Sequence, residues 1–154
     1  MLQPQRILLA SHGTPGARAA ESIALALAMP GATLFHLTVV PDFWRGMMGD
    51  DWLNNVATRA AYCSHVETEL GREIERHRED LEPRVLATGA RYTARIVLGK
   101  PADCLLAYAA ESDPQLVVIG SPRRRGMPGL RSRMQVEGLV RGLAAPLLVA
   151  PYPE

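Results

Sequence analysis

Cysteine is scarce: only Cys63 and Cys104 occur in 154 residues. They form no CxxC and no zinc-ligand spacing, which excludes a disulfide framework and the common structural zinc motifs. Aromatic residues make up only 5% of the chain. With so few rings to interleave with bases, and no known nucleic-acid module, binding of nucleic acid is not expected. No apolar run approaches the roughly 20 residues that span a bilayer. Met1 to Arg6 contains no apolar stretch of the kind that opens a signal peptide, so a cytoplasmic location is expected and no membrane partner. Net charge is also small, 17 basic against 16 acidic side chains with 47% hydrophobic residues. That balance excludes a chain kept disordered by low hydrophobicity or self-repulsion.

Lysine is nearly missing too: Lys100 is the one lysine, and every other basic side chain is arginine. Five of these, Arg123, Arg124, Arg125, Arg131 and Arg133, fall between Ser121 and Val136 with no acid among them. Setting them aside leaves 12 basic against 16 acidic side chains. One strongly positive segment thus sits on a mildly acidic body, which says more about partners than the total does.

A chain of this length fits one domain over residues 1–154. Arg6 to Ala10 is a short apolar run closed by Ser11-His12-Gly13, and reads as a buried strand and turn. Thr14-Pro15 suits a helix start, with Thr as cap and Pro at the first helical position. Ala17, Ala20, Ile23, Ala24 and Leu27 then recur at helical spacing until Pro30-Gly31. Thr33 to Val40 is a nearly continuous apolar strand, as expected where both sheet faces are covered.

Residues 41–55 form a loop insertion with Trp44, Met47, Met48 and Trp52. It reads as a lid or partner surface, or as a loop folded onto its own protein; the second is favoured. A long helix is expected from about Val56 to Leu81. Its apolar stripe is Cys63, Val66, Leu70 and Ile74, with Arg and Glu on a solvated face. His65 and His77 are placed on that charged helix facing solvent, and His36 is read as a packed strand histidine. Cys63 and His65 are two apart, so they diverge on a helix and no metal site is expected.

Arg91 to Leu98 is the third strand, and Gly99-Lys100-Pro101 opens a helix with Leu105, Leu106 and Ala109 inward. Leu116 to Ile119 is the fourth strand, ended by Gly120-Ser121 and the Arg-rich region 121–134. A last helix, about Gln135 to Leu143, directs Val136, Leu139, Val140 and Leu143 inward. Pro146 introduces the final strand, Leu147 to Ala150.

Alternation of buried strands with amphipathic helices specifies an α/β fold, a doubly wound, Rossmann-like, five-stranded parallel sheet with helices on both faces. With strand order 3-2-1-4-5, the loops after the first and fourth strands meet where the order reverses. Ligands bind at that crevice in such sheets.

The opening Arg6 to Ala28, the stretch Gly99-Lys-Pro-Ala-Asp to Ala109 followed by Asp113-Pro-Gln-Leu-Val-Val-Ile-Gly-Ser121, and the close Val140-Arg-Gly-Leu-Ala-Ala-Pro-Leu-Leu-Val-Ala150 together resemble the universal stress protein family. The resemblance implies a stress-response module on a five-stranded parallel sheet, commonly a homodimer through the last strand (Leu147, Leu148, Val149, Ala150). It divides members into ATP binders and non-binders. Binders carry Gly, two residues, Gly, nine residues, then Gly and Ser or Thr. Here Gly120 fits the first position, Arg123 stands at the second, and Arg133 stands at the third, followed by Met134. His12 replaces the acidic residue that contacts sugar and base in binders.

Glycine at those places lets backbone N–H groups approach phosphate oxygens. Arginine removes that freedom but adds bidentate charge. A neutral His12 offers one acceptor nitrogen where a carboxylate offers two oxygens. The candidate ligand-binding residues are therefore Ser11, His12, Gly13, Val39, Val40, Gly120, Ser121, Arg123, Arg133, Met134 and Gln135.

Three functions stay open. One is a non-enzymatic module holding ATP, another adenine nucleotide or a phosphate-bearing anion. The second is a nucleotide-free homodimer whose Arg123 and Arg133 pair with acids, and whose Trp44–Trp52 segment contacts an unknown protein partner. The third is a weak ATPase, disfavoured because His12 and Met134 remove the acid and hydroxyl that would hold a metal. No GxSxG elbow or Ser–His–acid set suggests a nucleophile.

Overall fold

The computed structural model describes residues 3–11, 15–41, 72, 74–121 and 136–151. The elements are β1 (Arg6–Ala10), α1 (Pro15–Leu27) and β2 (Thr33–Pro41), then α2 over 74–87. They continue with β3 (Arg91–Gly99), α3 (Pro101–Ser112), β4 (Leu116–Gly120), α4 (Val136–Gly142) and β5 (Leu147–Ala150). The sheet has five strands in the order β3-β2-β1-β4-β5. Every neighbouring pair is parallel. The α/β fold, strand order and placement of helices on both faces agree with the sequence reading.

Strand alternation divides the core in two. Ile7 and Leu9 point with Leu34 and Val118 toward α1 and α2, which contribute Ala20, Ala24, Leu81 and Val85. Leu8 points with Leu37, Val117 and Ile119 toward α3 and α4, which contribute Leu105, Tyr108 and Leu139. Period-2 alternation on central strands that are apolar on both faces produces this two-sided burial. Each fully buried Leu or Ile contributes about 1.5–3 kcal/mol relative to exposure.

Three packing expectations change. The helix expected to end at Leu81 continues through Pro83 to residue 87. Proline in a helix interior removes one backbone hydrogen bond and costs about 3 kcal/mol. Leu81 and Val85 flank it, both fully buried against the sheet, and that burial carries the helix through the proline. Tyr108, buried on α3, joins Leu105 in the core. Val140 on α4 is not inward but 66% exposed. Only Leu139 of this seven-residue helix is fully buried, and Gly142 packs beside the Leu106 side chain of α3. The Trp44–Trp52 segment, the Thr14 cap and the helical residues before 72 lie outside the described residues.

Two substitutions on α2 separate burial from backbone cost. Leu81→Ala lowers unfolding free energy by about 2–5 kcal/mol, the usual loss for deleting a buried leucine side chain. Pro83→Ala restores an N–H to the helix and raises stability by about 1–3 kcal/mol, within the helix-interior proline penalty. Urea unfolding of the two variants measures both, and a destabilised Pro83→Ala contradicts the account of this helix.

Candidate ligand-binding crevice

The order reverses between β1 and β4, so their carboxyl ends open the crevice. Ala10 pairs with Ile119, which sets Ser11 level with Gly120. The Ser11 N–H donates to the Leu37 carbonyl (3.2 Å) and the Ser121 N–H to the Ala150 carbonyl (3.0 Å), which extends both strands by one bond. Helix α1 leaves this edge directly below. A Cβ on Gly120 would overlap the Gly16 carbonyl of its first turn, so only glycine allows the helix start to lie against β4. No acidic residue occupies that first turn. The Ser121 hydroxyl beside it is buried and has no hydrogen-bond partner among the described residues.

The opposite wall is β2. Its pairing with β1 runs from Thr33 to Leu37, whereas its pairing with β3 continues to Pro41. Thr38 to Pro41 therefore overhang β1 and present a ladder edge that β1 does not cover. Val39, nearly buried, packs toward α3 and leaves only its backbone for a ligand.

Ser11, Val39, Val40, Gly120 and Ser121 thus share one sheet edge. His12, Gly13, Arg123, Arg133, Met134 and Gln135 lie outside the described residues. Among the described residues, no group of three His, Cys, Asp or Glu could hold a metal ion, and no helix is long and apolar enough to cross a membrane.

Beneath the rim lies a polar cluster. Glu21 of α1 is only 1% exposed although ionisable. Its Oε1 accepts hydrogen bonds from the Ser11 hydroxyl (2.5 Å) and from His77 Nε2 of α2. Arg84 approaches the other oxygen at 3.9 Å. Burial pushes the Glu21 carboxyl up, but the donors His77 and Ser11 outweigh it and hold it below the usual carboxylate range.

His36 completes the cluster. Its Nε2–H donates to the Ser11 carbonyl (3.0 Å), because a carbonyl can only accept. Nδ1 then accepts from the Tyr92 hydroxyl at 2.7 Å. The imidazole is neutral, pushed down to about 4 by burial and the adjacent His77, against the Ser11 and Glu21 contributions. Thr38 Oγ1 also donates to the Ser11 carbonyl (3.3 Å).

His36 is packed, as its strand position suggested. His77 is not solvent-facing: its side chain is 12% exposed and bonded to Glu21. The Arg and Glu around it disguise its register, since 74, 77, 81 and 85 form one helical stripe. Glu21 and Tyr92 were missed by the sequence reading. The signal was present for Glu21, an acid at helical spacing from Ala17, Ala24 and Ala28, which are all buried.

A model of the universal stress protein family matches residues 4–151. Among solved structures, the hypothetical protein MJ0577 aligns with a TM-score of 0.74 at 17% identity, covering 99% of both chains. A universal stress protein family protein from Burkholderia pseudomallei aligns at 0.67 and 25% identity, covering 94% of both. A universal stress protein in complex with cAMP aligns at 0.54 and 18% identity, covering 99% of this chain and 100% of that one. A search among curated proteins finds no match.

The neutral His36 makes stability pH-dependent. In the unfolded chain it protonates near 6.5, while in the fold it resists until about 4. Full stability is thus present above pH 6.5 and is lost as pH falls toward 4, by about 3 kcal/mol in total. Glu21 adds to the loss at still lower pH, as its lowered carboxyl protonates. Urea midpoints between pH 7.5 and 4.5 fall for the wild type, and His36→Gln flattens this slope. An unchanged slope in the variant would remove His36 as its source.

Proposed function

Because this chain belongs to the universal stress protein family, we propose that it is a non-catalytic binding module taking an adenine nucleotide, or a comparable phosphate-bearing ligand, in the crevice between the ends of β1 and β4. The overhang of β2 carries this reading. Beyond Leu37, the last β2 residue paired with β1, the Val39 N–H and carbonyl face the β1 side of the ladder without a β1 partner, which suits the edge of a base. The unpartnered Ser121 hydroxyl and the acid-free start of α1 stand across the gap. A helix start favours negative charge there, so the phosphate belongs on that side.

Arg123 and Arg133 then neutralise the phosphate where binders of the family carry glycine. Gly13 and Gly120 allow close backbone approach, and His12 meets the sugar or base. The cAMP held by one structural neighbour is an adenine nucleotide, which supports this ligand class. Side-chain charge replaces a backbone nest in this altered site, so affinity depends on arginine.

Isothermal titration with ATP, AMP and cAMP tests the proposal. At least one binds, and Arg123→Ala with Arg133→Ala weakens it by about tenfold or more, since each charge-assisted hydrogen bond contributes about 1.5–3 kcal/mol. No heat with any of the three overturns the nucleotide reading.

A second reading concerns assembly and draws on the opposite edge of the sheet. β5 pairs only with β4 among the described strands. Val149 on it is 39% exposed, and Val140 of α4 66%. Apolar side chains on an uncovered edge strand favour pairing with a second copy. Pro151 bounds the ladder, because proline donates no hydrogen bond. The exposed Val149 supports a homodimer contact through Leu147 to Ala150. Sedimentation at micromolar concentration gives a dimer, and Val149→Lys gives a monomer. A monomeric wild type contradicts this assembly.

A further inference from the structure

We propose that Glu21 is the positioning residue of this crevice: its buried carboxylate ties the Ser11 hydroxyl at the rim to His77 on helix α2, so that rim and helix respond together. The functional weight of this inference rests on the ligand-binding reading of the crevice, whereas the coupling itself stands on the hydrogen-bond geometry.

Every polar group of Ser11 is committed. Its N–H goes to the Leu37 carbonyl, its hydroxyl to Glu21, and its carbonyl receives both His36 and Thr38. Two elements, α1 and β2, therefore converge on one residue at the lip of the crevice. A residue held on all sides is pre-organised, which is what a binding rim requires.

The fold alone does not ask for a carboxylate here. The neighbouring stripe positions Ala17, Ala20, Ala24 and Ala28 are small, apolar and buried. Replacing buried charges with apolar side chains is often neutral or stabilising. Glu21 interrupts that stripe beside the rim, and it accepts a hydrogen bond from His77 on a different helix, with the Arg84 guanidinium further out. The groups facing Glu21 are Ser11 from β1, His36 from β2, and His77 and Arg84 from α2. The His36 and His77 rings meet edge-to-face at 5.1 Å, and Tyr92 of β3 closes the far side of His36. Removing His77 therefore perturbs Ser11 through Glu21, although the two sit on different elements. By reciprocity, a ligand that orders the rim also orders α2.

The test is backbone NMR on the full chain with Glu21→Gln and His77→Leu. In the wild type, the Ser11 amide shift follows pH with a step at the lowered carboxyl of Glu21, and Glu21→Gln abolishes that step. His77→Leu, which has no donor, speeds hydrogen exchange at the Ser11 amide by about tenfold, the scale of one lost hydrogen bond to a charged group. The Val118 amide at the sheet centre keeps its wild-type rate.

Unchanged Ser11 exchange overturns the proposal. Equal acceleration at Val118 does so too, because it signals general loss of stability. If Glu21→Gln fails to fold, the wild-type titration and the His77→Leu exchange decide the matter. AMP added to the wild type slows exchange over 74–87, and His77→Leu abolishes the slowing; slowing that persists in the variant counts against the coupling. If AMP, ATP and cAMP all fail to bind, the ligand reading falls, and the coupling is judged on Ser11 exchange alone.

Discussion

A carboxylate held out of water beside the end of the first strand is the constraint around which this molecule is arranged. A buried charge needs donors, and those donors must come from elements already packed for other reasons. Ser11 supplies one at the close of β1 and His77 another from α2. Burial in the same pocket keeps His36 neutral, against the pull of the neighbouring carboxylate. The hydrophobic core fixes where α1 and α2 lie, and the polar cluster fixes how the sheet edge between them is shaped.

On the other side of that edge the constraint is steric. Gly120 brings the first turn of α1 against β4, and the absence of a side chain there lets the helix start face the crevice. β2 runs past β1 on the opposite wall. The crevice is thus bounded by backbone on one side and a helix terminus with a spare hydroxyl on the other. The β4 wall needs Gly120, the first glycine of the pattern that the family resemblance implies, whereas Arg123 and Arg133 stand at the other two positions.

Much of the fold was legible because the strands are short, apolar and bounded by turn residues, and the helices between them are amphipathic. Arg6 to Ala10 and Leu116 to Gly120 could hardly be read otherwise. The position of the crevice followed from topology. What stayed hidden had physical causes. Pro83 is a helix-breaking signal that two buried neighbours override. Val140 fits an apolar stripe by spacing, yet one seven-residue helix has room to bury little more than Leu139. His77 sits among charged residues that mask its inward register. Glu21 was passed over because an acid within an alanine stripe reads as a surface residue unless its partners, 10 and 56 positions away, are known.

The most direct test of the account is a crystal structure grown with AMP. It predicts density in the gap between the Ser121 hydroxyl and the overhanging backbone of Thr38 to Pro41, with the phosphate toward the start of α1 and Ser11 still bonded to Glu21. An empty gap with nucleotide bound elsewhere, or a Ser11 side chain turned away from Glu21, would contradict it.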